Sequence, residues 1–167
     1  MICLYTGGLL KIDVPYFEGV ELYTIRKFDL PKYYGIKYSL NASKLKLVYM
    51  DLYDQYALFW SNGYYLPFHD WLVSIVAHHL NFNCVYKYSR SQLHSPMPDL
   101  IFDNRYIEVE TGLKHSYASL KFRLYHTQYF TYVLVPNMDI KRRYVSHLKK
   151  FHGRIYTFKQ FFSLNEV

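Results

Sequence analysis

The chain has 167 residues, enough for one cored domain with at most a small appendage. Its 20 Lys and Arg outnumber its 13 Asp and Glu, which gives a formal net charge of +7 and favours a polyanionic partner such as nucleic acid. Two cysteines are too few for a zinc site, no apolar run is long enough to span a membrane, and no signal peptide is recognisable. We therefore expect a soluble, cytoplasmic protein that does not contact a membrane.

Residues 1–66 are rich in β-prone runs that Gly, Pro and Asn residues interrupt. The clearest runs are 10–14, 20–28 and 45–52. They predict a β-rich N-terminal region that packs on the rest of the chain, with a boundary near 62–67. The region contains no chemical motif, so substrate binding and dimer contacts are both open as its role.

From residue 67 onward, the pattern changes to alternating helices and strands. An apolar stripe at helical spacing predicts a first helix that ends near 81–83. The stripe consists of Phe68, Trp71, Leu72, Ile75, Val76 and Leu80. Beyond it we predict a strand at 84–88, an acidic hairpin, a helix at 114–128, a strand at 130–135, a helix at 139–150 and a strand at 154–158. This order indicates the α/β (α+β) class.

The most informative segment is residues 98–112, which read as two short strands joined by an Asp-Asn turn at 103–104. Glu108 and Glu110 share a face of the second strand, because strand side chains repeat every second residue. Asp99 lies beside them if the hairpin pairs. Crowded carboxylates repel each other unless a positive group lies among them, and a hard cation such as Mg²⁺ suits oxygen ligands. The segment therefore predicts a metal site.

Pro98-Asp99 followed by Glu108-Val109-Glu110, on strands after a helix, resembles the signature of the PD-(D/E)XK nuclease superfamily. The resemblance covers residues 67–136 and implies a restriction-endonuclease-like core, in which a central mixed four-stranded sheet is flanked by helices. It divides the chain into an N-terminal region, 1–66, and a nuclease core, 67–167. It also implies a nuclease that hydrolyses DNA with Mg²⁺ or Mn²⁺ and is encoded by a virus, plasmid or other mobile element.

One position departs from the pattern of the superfamily. The family's lysine would stand at position 110, where this chain has Glu110. Plasmid replication-relaxation proteins are similar in this respect, because a Glu-x-acid-x-Gly stretch is followed in them by a helix with Lys-x-x-x-Tyr. Residues 108–112 and 121–125 match that arrangement. The resemblance therefore implies Lys121 as the catalytic lysine, with Lys114, nearer the strand end, as the alternative.

The resemblance implies a role for each of these residues. Asp99 and Glu108, with the carbonyl oxygen of Val109, would hold the metal ion. Glu110 would orient the attacking water or accept its proton, and Lys121 would stabilise negative charge that develops on the phosphate. Basic residues of the third predicted helix would hold DNA phosphates without reading sequence. These residues are Lys141, Arg142, Arg143, Lys149 and Lys150.

Each of these features also has a structural explanation. Acid-rich hairpins are common on protein surfaces, a lysine beside an apolar stripe usually reaches into solvent, and a basic helix face is usually only solvated. Asp70 corresponds to the family's optional acid on the first helix, but an acid in a first turn also suits the helix dipole. The histidines lack the paired short intervals of a structural zinc site.

Two hypotheses of other classes stay open. A DNA-binding protein that has kept a nuclease-like fold but lost activity, acting in replication or packaging, would account for Glu110. A structural protein that condenses nucleic acid would leave Asp99 and Glu108 apart in space. Cleavage of both strands of a duplex would suit a homodimer.

Overall fold

The computed structural model describes residues 2–5, 9–12, 22–26, 45–60, 66–81, 85–86, 98–113 and 116–164. The chain divides into two compact units, Met1–Phe68 and His69–Val167. The division falls within the first turn of a helix.

The first unit contains a five-stranded sheet with the order β2-β1-β3-β5-β4. Strands β1 and β3 are parallel, and all other neighbours in this sheet are antiparallel. The strands are β1 (Ile2–Tyr5), β2 (Leu9–Ile12), β3 (Leu22–Arg26), β4 (Leu45–Met50) and β5 (Gln55–Trp60).

The second unit contains a mixed five-stranded sheet with the order β10-β9-β8-β7-β6. Strands β8, β9 and β10 are parallel, whereas β6, β7 and β8 are antiparallel. The strands are β6 (Val85–Tyr86), β7 (Leu100–Phe102), β8 (Arg105–Val109), β9 (Thr131–Val135) and β10 (Gly153–Thr157). The helices are α1 (Leu66–His79), α2 (Ala118–His126), α3 (Met138–His147) and α4 (Phe158–Phe162). The predicted α+β class and mixed sheet flanked by helices are confirmed, and β10 adds a fifth strand to the sheet.

Strand β9 forms the centre of the second unit's core. It lies between β8 and β10, and all five of its residues are buried. A parallel strand that is covered on both faces needs a continuous run of β-prone residues, and Thr131–Val135 provides one. Helix α3 packs against this region and buries Ile140 and Tyr144, which share one helix face because they are four residues apart.

The predicted Asp-Asn turn joins β7 to β8 as expected. Asp103 and Asn104 both have positive φ angles, 48° and 57°. Two consecutive left-handed residues are characteristic of the type I′ turn, whose twist matches that of antiparallel strands. Asn and Asp tolerate this conformation better than most residues, which explains why the sequence signal was specific.

Several helix boundaries differ from the sequence prediction. The predicted helix at 114–128 is shorter, Ala118–His126, and the predicted helix at 139–150 ends at His147. The chain turns extended at Leu148 (ψ 132°), so two of the five predicted DNA-binding residues, Lys149 and Lys150, follow the helix instead of lying on it. Helix α4 was not predicted, although Thr157 and Gln160 form a capping box at its start.

Candidate functional site

The β7-β8 hairpin brings Asp99 and Glu108 together. Leu100 pairs with Ile107, so the same register places Asp99 opposite Glu108. Directly opposed residues of an antiparallel pair have Cβ atoms about 4.5–5.5 Å apart. The Asp99 carboxylate turns towards the second strand, where its Oδ2 accepts a hydrogen bond of 2.8 Å from the Val109 N–H. The condensation hypothesis, which requires separated carboxylates, is therefore not supported.

Glu108 and Glu110 are almost completely buried, with 2% and 1% of their surface exposed. Their strand β8 lies inside the sheet, between β7 and β9, and the Glu110 N–H continues the pairing with a bond to the Leu134 carbonyl. Burial and the negative charge of Asp99 raise the pKa of Glu108 to about 8, because together they outweigh the effect of the neighbouring Arg123. A cation that approaches this carboxyl is bound favourably, because its positive charge stabilises the ionised form.

Arg123 supplies a positive charge to this cluster. Its Nε lies 2.7 Å from Glu108 Oε1, its Nη2 lies 3.3 Å from Glu108 Oε2, and the same Nη2 is 3.8 Å from Glu110 Oε1. Ser119 Oγ accepts a further bond of 2.7 Å from Arg123 Nη1 and orients the guanidinium. Burial acts against the charge, but the carboxylates dominate and raise the pKa of Arg123. Arg123 therefore remains charged and holds Glu108 in a two-point contact.

Sequence reasoning missed Arg123 and selected Lys121 from the same helix. The two residues are about 200° apart around a helix axis, so they lie on opposite sides of the buried stripe of Leu120 and Leu124. In the part of the chain that the structure describes, the guanidinium of Arg123 contacts the carboxylates, and no contact joins the Lys121 ammonium to them. Lys114, the alternative lysine, lies outside the described residues.

His69 approaches the cluster from α1 and was also missed. Its Nε2 lies 3.2 Å from Asp99 Oδ2, and its Nδ1 lies 3.0 Å from Asp70 Oδ1. Burial lowers the pKa of His69, but the charges and hydrogen bonds of Asp99 and Asp70 outweigh it and raise the pKa to about 10. The ring is thus a cation at neutral pH that donates one proton to each carboxylate. Asp70 contacts Asp99 through this ring.

Tyr144 of α3 supports Glu110 from another side. The phenol donates a hydrogen bond of 3.2 Å to Glu110 Oε2, and both groups are buried. Burial and the charge of Glu110 raise the pKa of Tyr144, so the phenol keeps its proton and remains a donor. In the sequence, Tyr144 lies at helical spacing from the apolar Ile140 and Leu148 of the helix predicted at 139–150, and no signal distinguishes it from a core residue.

The predicted DNA-binding residues occupy the exposed surface of α3 and the segment after it. Arg142 pairs with Asp139 at 2.7 Å, Arg143 donates to the Gly112 carbonyl at 3.2 Å, and Lys141 Nζ donates to Gln160 Oε1 at 2.8 Å. The remaining two are the exposed Lys149 and Lys150. None of the five contacts the carboxylate cluster in the described part of the chain.

The described residues contain no group of three or more His, Cys, Asp or Glu side chains placed to hold a metal ion. A hard cation here would therefore be held by the two carboxylates of Asp99 and Glu108, a carbonyl such as that of Val109, and water. Mg²⁺ is usually bound in this way, with one or two carboxylates and several retained waters. These oxygen donors are of the chemical type that Mg²⁺ prefers, but both oxygens of Glu108 are bonded to Arg123, so an ion at this place would have to displace the guanidinium.

The chain matches no protein-family model, no curated protein and no solved structure. Over the part that the structure describes, no helix combines the length and the apolar character needed to cross a bilayer.

Proposed function

We propose that the protein is a metal-dependent nuclease that hydrolyses phosphodiester bonds of DNA. The observation that carries the proposal is that Asp99, one residue before the paired part of β7, lies close enough to the buried Glu108 of β8 for its charge to act on that carboxyl. Burial and the negative charge of Asp99 raise the pKa of Glu108, and a divalent cation relieves that repulsion. Ordinary surface hairpins do not bury their acids in this way.

The fold supports the same proposal. A helix, three antiparallel strands, a second helix and a parallel strand follow one another from α1 to β9. This is the order that a restriction-endonuclease-like core requires. Asp99 immediately precedes the second of these strands, Glu108 lies on the third, and Glu110 immediately follows it. The source in a virus or other mobile element belongs to the same proposal and rests on the resemblance alone.

Each residue has a role in the proposed reaction. Asp99 and Glu108, with the Val109 carbonyl, would hold Mg²⁺ or Mn²⁺, which when bound lowers the pKa of water and polarises the phosphate. Glu110 accepts the proton of the attacking water, and the Tyr144 hydroxyl fixes its orientation. Arg123 replaces the family's lysine as the positive group that stabilises charge on the phosphate, because it is the cation in contact with both glutamates. Lys121 lies on the other side of α2 and would stabilise charge on the phosphate only if that helix rotated about its axis.

The test is cleavage of linear and circular duplex DNA with Mg²⁺, with Mn²⁺ and with chelator. Glu108→Gln keeps the size of the side chain and removes its charge, so we expect it to lower the cleavage rate by at least about 100-fold. Asp139→Asn is the matched control, because it makes the same chemical change at an exposed acid of α3. Chelator should abolish cleavage. Activity that persists in Glu108→Gln or in chelator would contradict the proposal.

One observation favours a second candidate, a DNA-binding protein that has lost activity. Arg123 occupies both oxygens of Glu108, which is where a bound cation would otherwise be needed. Such a protein would bind DNA, but it would neither cleave it nor bind a metal ion. Calorimetric titration with Mn²⁺ separates the two candidates, since the nuclease should bind Mn²⁺ with heat that Asp99→Asn removes, and the binding protein should show none in either form.

A further inference from the structure

A cleft of about 350 Å³ adjoins the carboxylate cluster. Its lining includes Glu108 and Arg123, so the cleft reaches the candidate site directly. The remainder of its wall comes from Tyr106 of β8, the C-terminal half of α2 and the segment that leads into β9, including Phe122, His126 and Tyr129. Nothing in the sequence pattern of α2 had indicated a cleft, because Phe122 lies outside the helix's apolar stripe.

Aromatic side chains on this wall face solvent. Phe122 is 58% exposed and Tyr129 is 37% exposed. Each ring is supported by a second one, since Phe122 stacks on His126 with centroids 4.4 Å apart and Tyr129 lies 4.9 Å from Tyr106. Supported rings lose little conformational freedom when a ligand packs on them. They therefore present two largely preformed flat apolar surfaces at the mouth of the cleft.

Polar and cationic side chains also line the cleft. The guanidinium of Arg123 lines the cleft, as do Thr127 and Gln128, whose side chains carry hydrogen-bond donors and acceptors. His126 donates from Nδ1 to the Phe122 carbonyl at 2.8 Å, which fixes the ring. The whole chain carries a formal charge of +7. Flat apolar faces, polar groups for a ring edge and nearby positive charge together match a nucleobase attached to a phosphate.

The exposed rings indicate that the bound base is not part of a base pair. In a duplex, both faces of a base are stacked on its neighbours, so Phe122 and Tyr129 have nothing to pack against unless a base leaves the helix. A base of a single strand is free to stack at no such cost. A protein partner would also cover exposed rings, but it would not require a cleft that is lined by the buried Glu108 and by Arg123.

We infer that this cleft binds an unpaired base of single-stranded DNA, which stacks on Phe122 and Tyr129 and places its phosphodiester next to Glu108 and Arg123. The substrate assignment rests on the proposed nuclease function, whereas the binding itself needs neither metal nor cleavage. Single-stranded DNA, or the unpaired end of a duplex, is then the preferred substrate.

The experiment is fluorescence anisotropy with a labelled 12-residue oligothymidylate and a labelled 12-base-pair duplex, in chelator and at one salt concentration. We expect the native protein to bind the single strand more tightly than the duplex. Phe122→Ala and Tyr129→Ala should each weaken single-strand binding by about 5- to 150-fold, the range for loss of one base–aromatic stack. Duplex binding should change by less than about twofold in both variants.

Two control variants and a cleavage assay complete the test. Phe122→Trp keeps a stacking surface and should retain native affinity. Tyr53→Ala removes an exposed tyrosine of the other unit, which is 42% exposed, and should leave affinity unchanged. Cleavage of the same single strand with Mg²⁺ is measured beside these titrations, so single-strand binding that depends on the two rings but is not followed by cleavage would contradict only the nuclease proposal.

Several results would overturn the inference. It fails if the native protein does not prefer the single strand, as expected for a cleft that receives a protein partner. It also fails if Phe122→Ala and Tyr129→Ala bind the oligothymidylate normally, if they weaken the duplex equally, or if Phe122→Trp behaves like Phe122→Ala.

Discussion

At the scale of single residues, Arg123 is the side chain on which the carboxylate cluster depends. It contacts both buried glutamates, and the salt bridge to Glu108 has two bonds. Removing one partner of a buried ion pair is far more costly than removing an exposed charge, because the other charge is left without compensation. Stability measurements can therefore test this role without any assumption about activity.

We expect Arg123→Met to lower the free energy of unfolding by about 3–5 kcal/mol. Lys121→Met is the matched control, since it removes a cation from the other side of the same helix, and its effect should stay within about 0.5 kcal/mol. Combining Arg123→Met with Glu108→Gln should recover much of the loss, because no buried charge is then left unpaired. Urea denaturation at pH 9 measures all four proteins, and equal losses in Arg123→Met and Lys121→Met would contradict the assignment.

The raised pKa of Glu108 leads to a second prediction, which concerns how the stability of the fold depends on pH. Its pKa rises from 4.5 in the unfolded chain to about 8 in the fold. Between these values the folded protein holds a proton that the unfolded chain has released, so stability decreases as pH increases from about 4.5 to 8. His69 contributes with the same sign from 6.5 to about 10, because its pKa is also raised.

Thermal unfolding in chelator across pH 4.5–10 measures this dependence. Glu108→Gln should flatten the slope below pH 8 and keep the part above it that belongs to His69. His69→Asn should have the reverse effect. A native profile that rises with pH across this range would show that the carboxyl is ionised in the fold at lower pH.

At the scale of elements, α3 depends on Asn137, the residue that caps its N-terminus. Asn137 is buried, and its Oδ1 accepts a hydrogen bond of 3.0 Å from the Ile140 N–H. This bond satisfies one of the amide groups that a helix N-terminus leaves without a partner inside the helix. The helix in turn positions Tyr144 against Glu110.

Asn137→Ala should therefore lower the free energy of unfolding by about 1 kcal/mol, the usual cost of losing such a cap. Asn137→Asp keeps the acceptor and adds a charge that the helix dipole favours, so its effect should be smaller. Chemical denaturation at neutral pH compares the three proteins. A loss in Asn137→Asp as large as in Asn137→Ala would mean that shape, and not the hydrogen bond, matters at this position.

The elements that the sequence predicted well are those whose signals are local. The hairpin turn at 103–104, the apolar stripe of α1 and the β-prone run of β9 each carry their information within a few residues. Helix ends were less accurate, because the point at which α3 stops is fixed by the turn to extended backbone at Leu148 and by Tyr125, whose hydroxyl accepts from the Lys149 N–H. That contact joins residues 24 positions apart, and no local pattern records it.

In the candidate site, too, the sequence predicted the features that depend on local pattern and missed those that depend on tertiary contacts. Asp99, Glu108 and Glu110 lie on one hairpin, so strand alternation was enough to bring them together. Arg123 and His69 come from two helices, and which side of a helix faces the sheet depends on tertiary packing. Lys121 and Arg123 are only two positions apart, yet they lie on opposite sides of α2. The residues that neutralise the site were therefore beyond the reach of a sequence pattern.

At the scale of the whole molecule, the basic charge divides into two kinds. Lys141, Arg142 and Arg143 have partners within the protein. Lys149 and Lys150 lie exposed on extended chain after α3 and are better placed to contact a flexible polyanion. If they contact phosphates, the salt dependence of binding will report it, because each neutralised phosphate releases counterions.

We expect the double variant Lys149→Ala/Lys150→Ala to reduce the slope of log affinity against log salt concentration by about 1.4 for single-stranded DNA. Arg154→Ala/Lys159→Ala is the control, since it removes the same charge from exposed positions on β10 and α4. Anisotropy titrations from low to moderate salt give both slopes. Equal reductions in the two double variants would mean that only the net charge matters.

The hairpin that opposes Asp99 to Glu108 also has a consequence for the order in which the unit assembles. Hairpins form in about 1–10 μs, well before distant contacts, whereas Arg123 lies 15 residues beyond Glu108 and reaches it only when α2 docks. Until then, two like charges face each other across the strands, which weakens their pairing. At neutral pH the docking of α2 consequently strengthens the pairing of the hairpin, whereas in acid, where the carboxyls are protonated, the hairpin depends less on the helix.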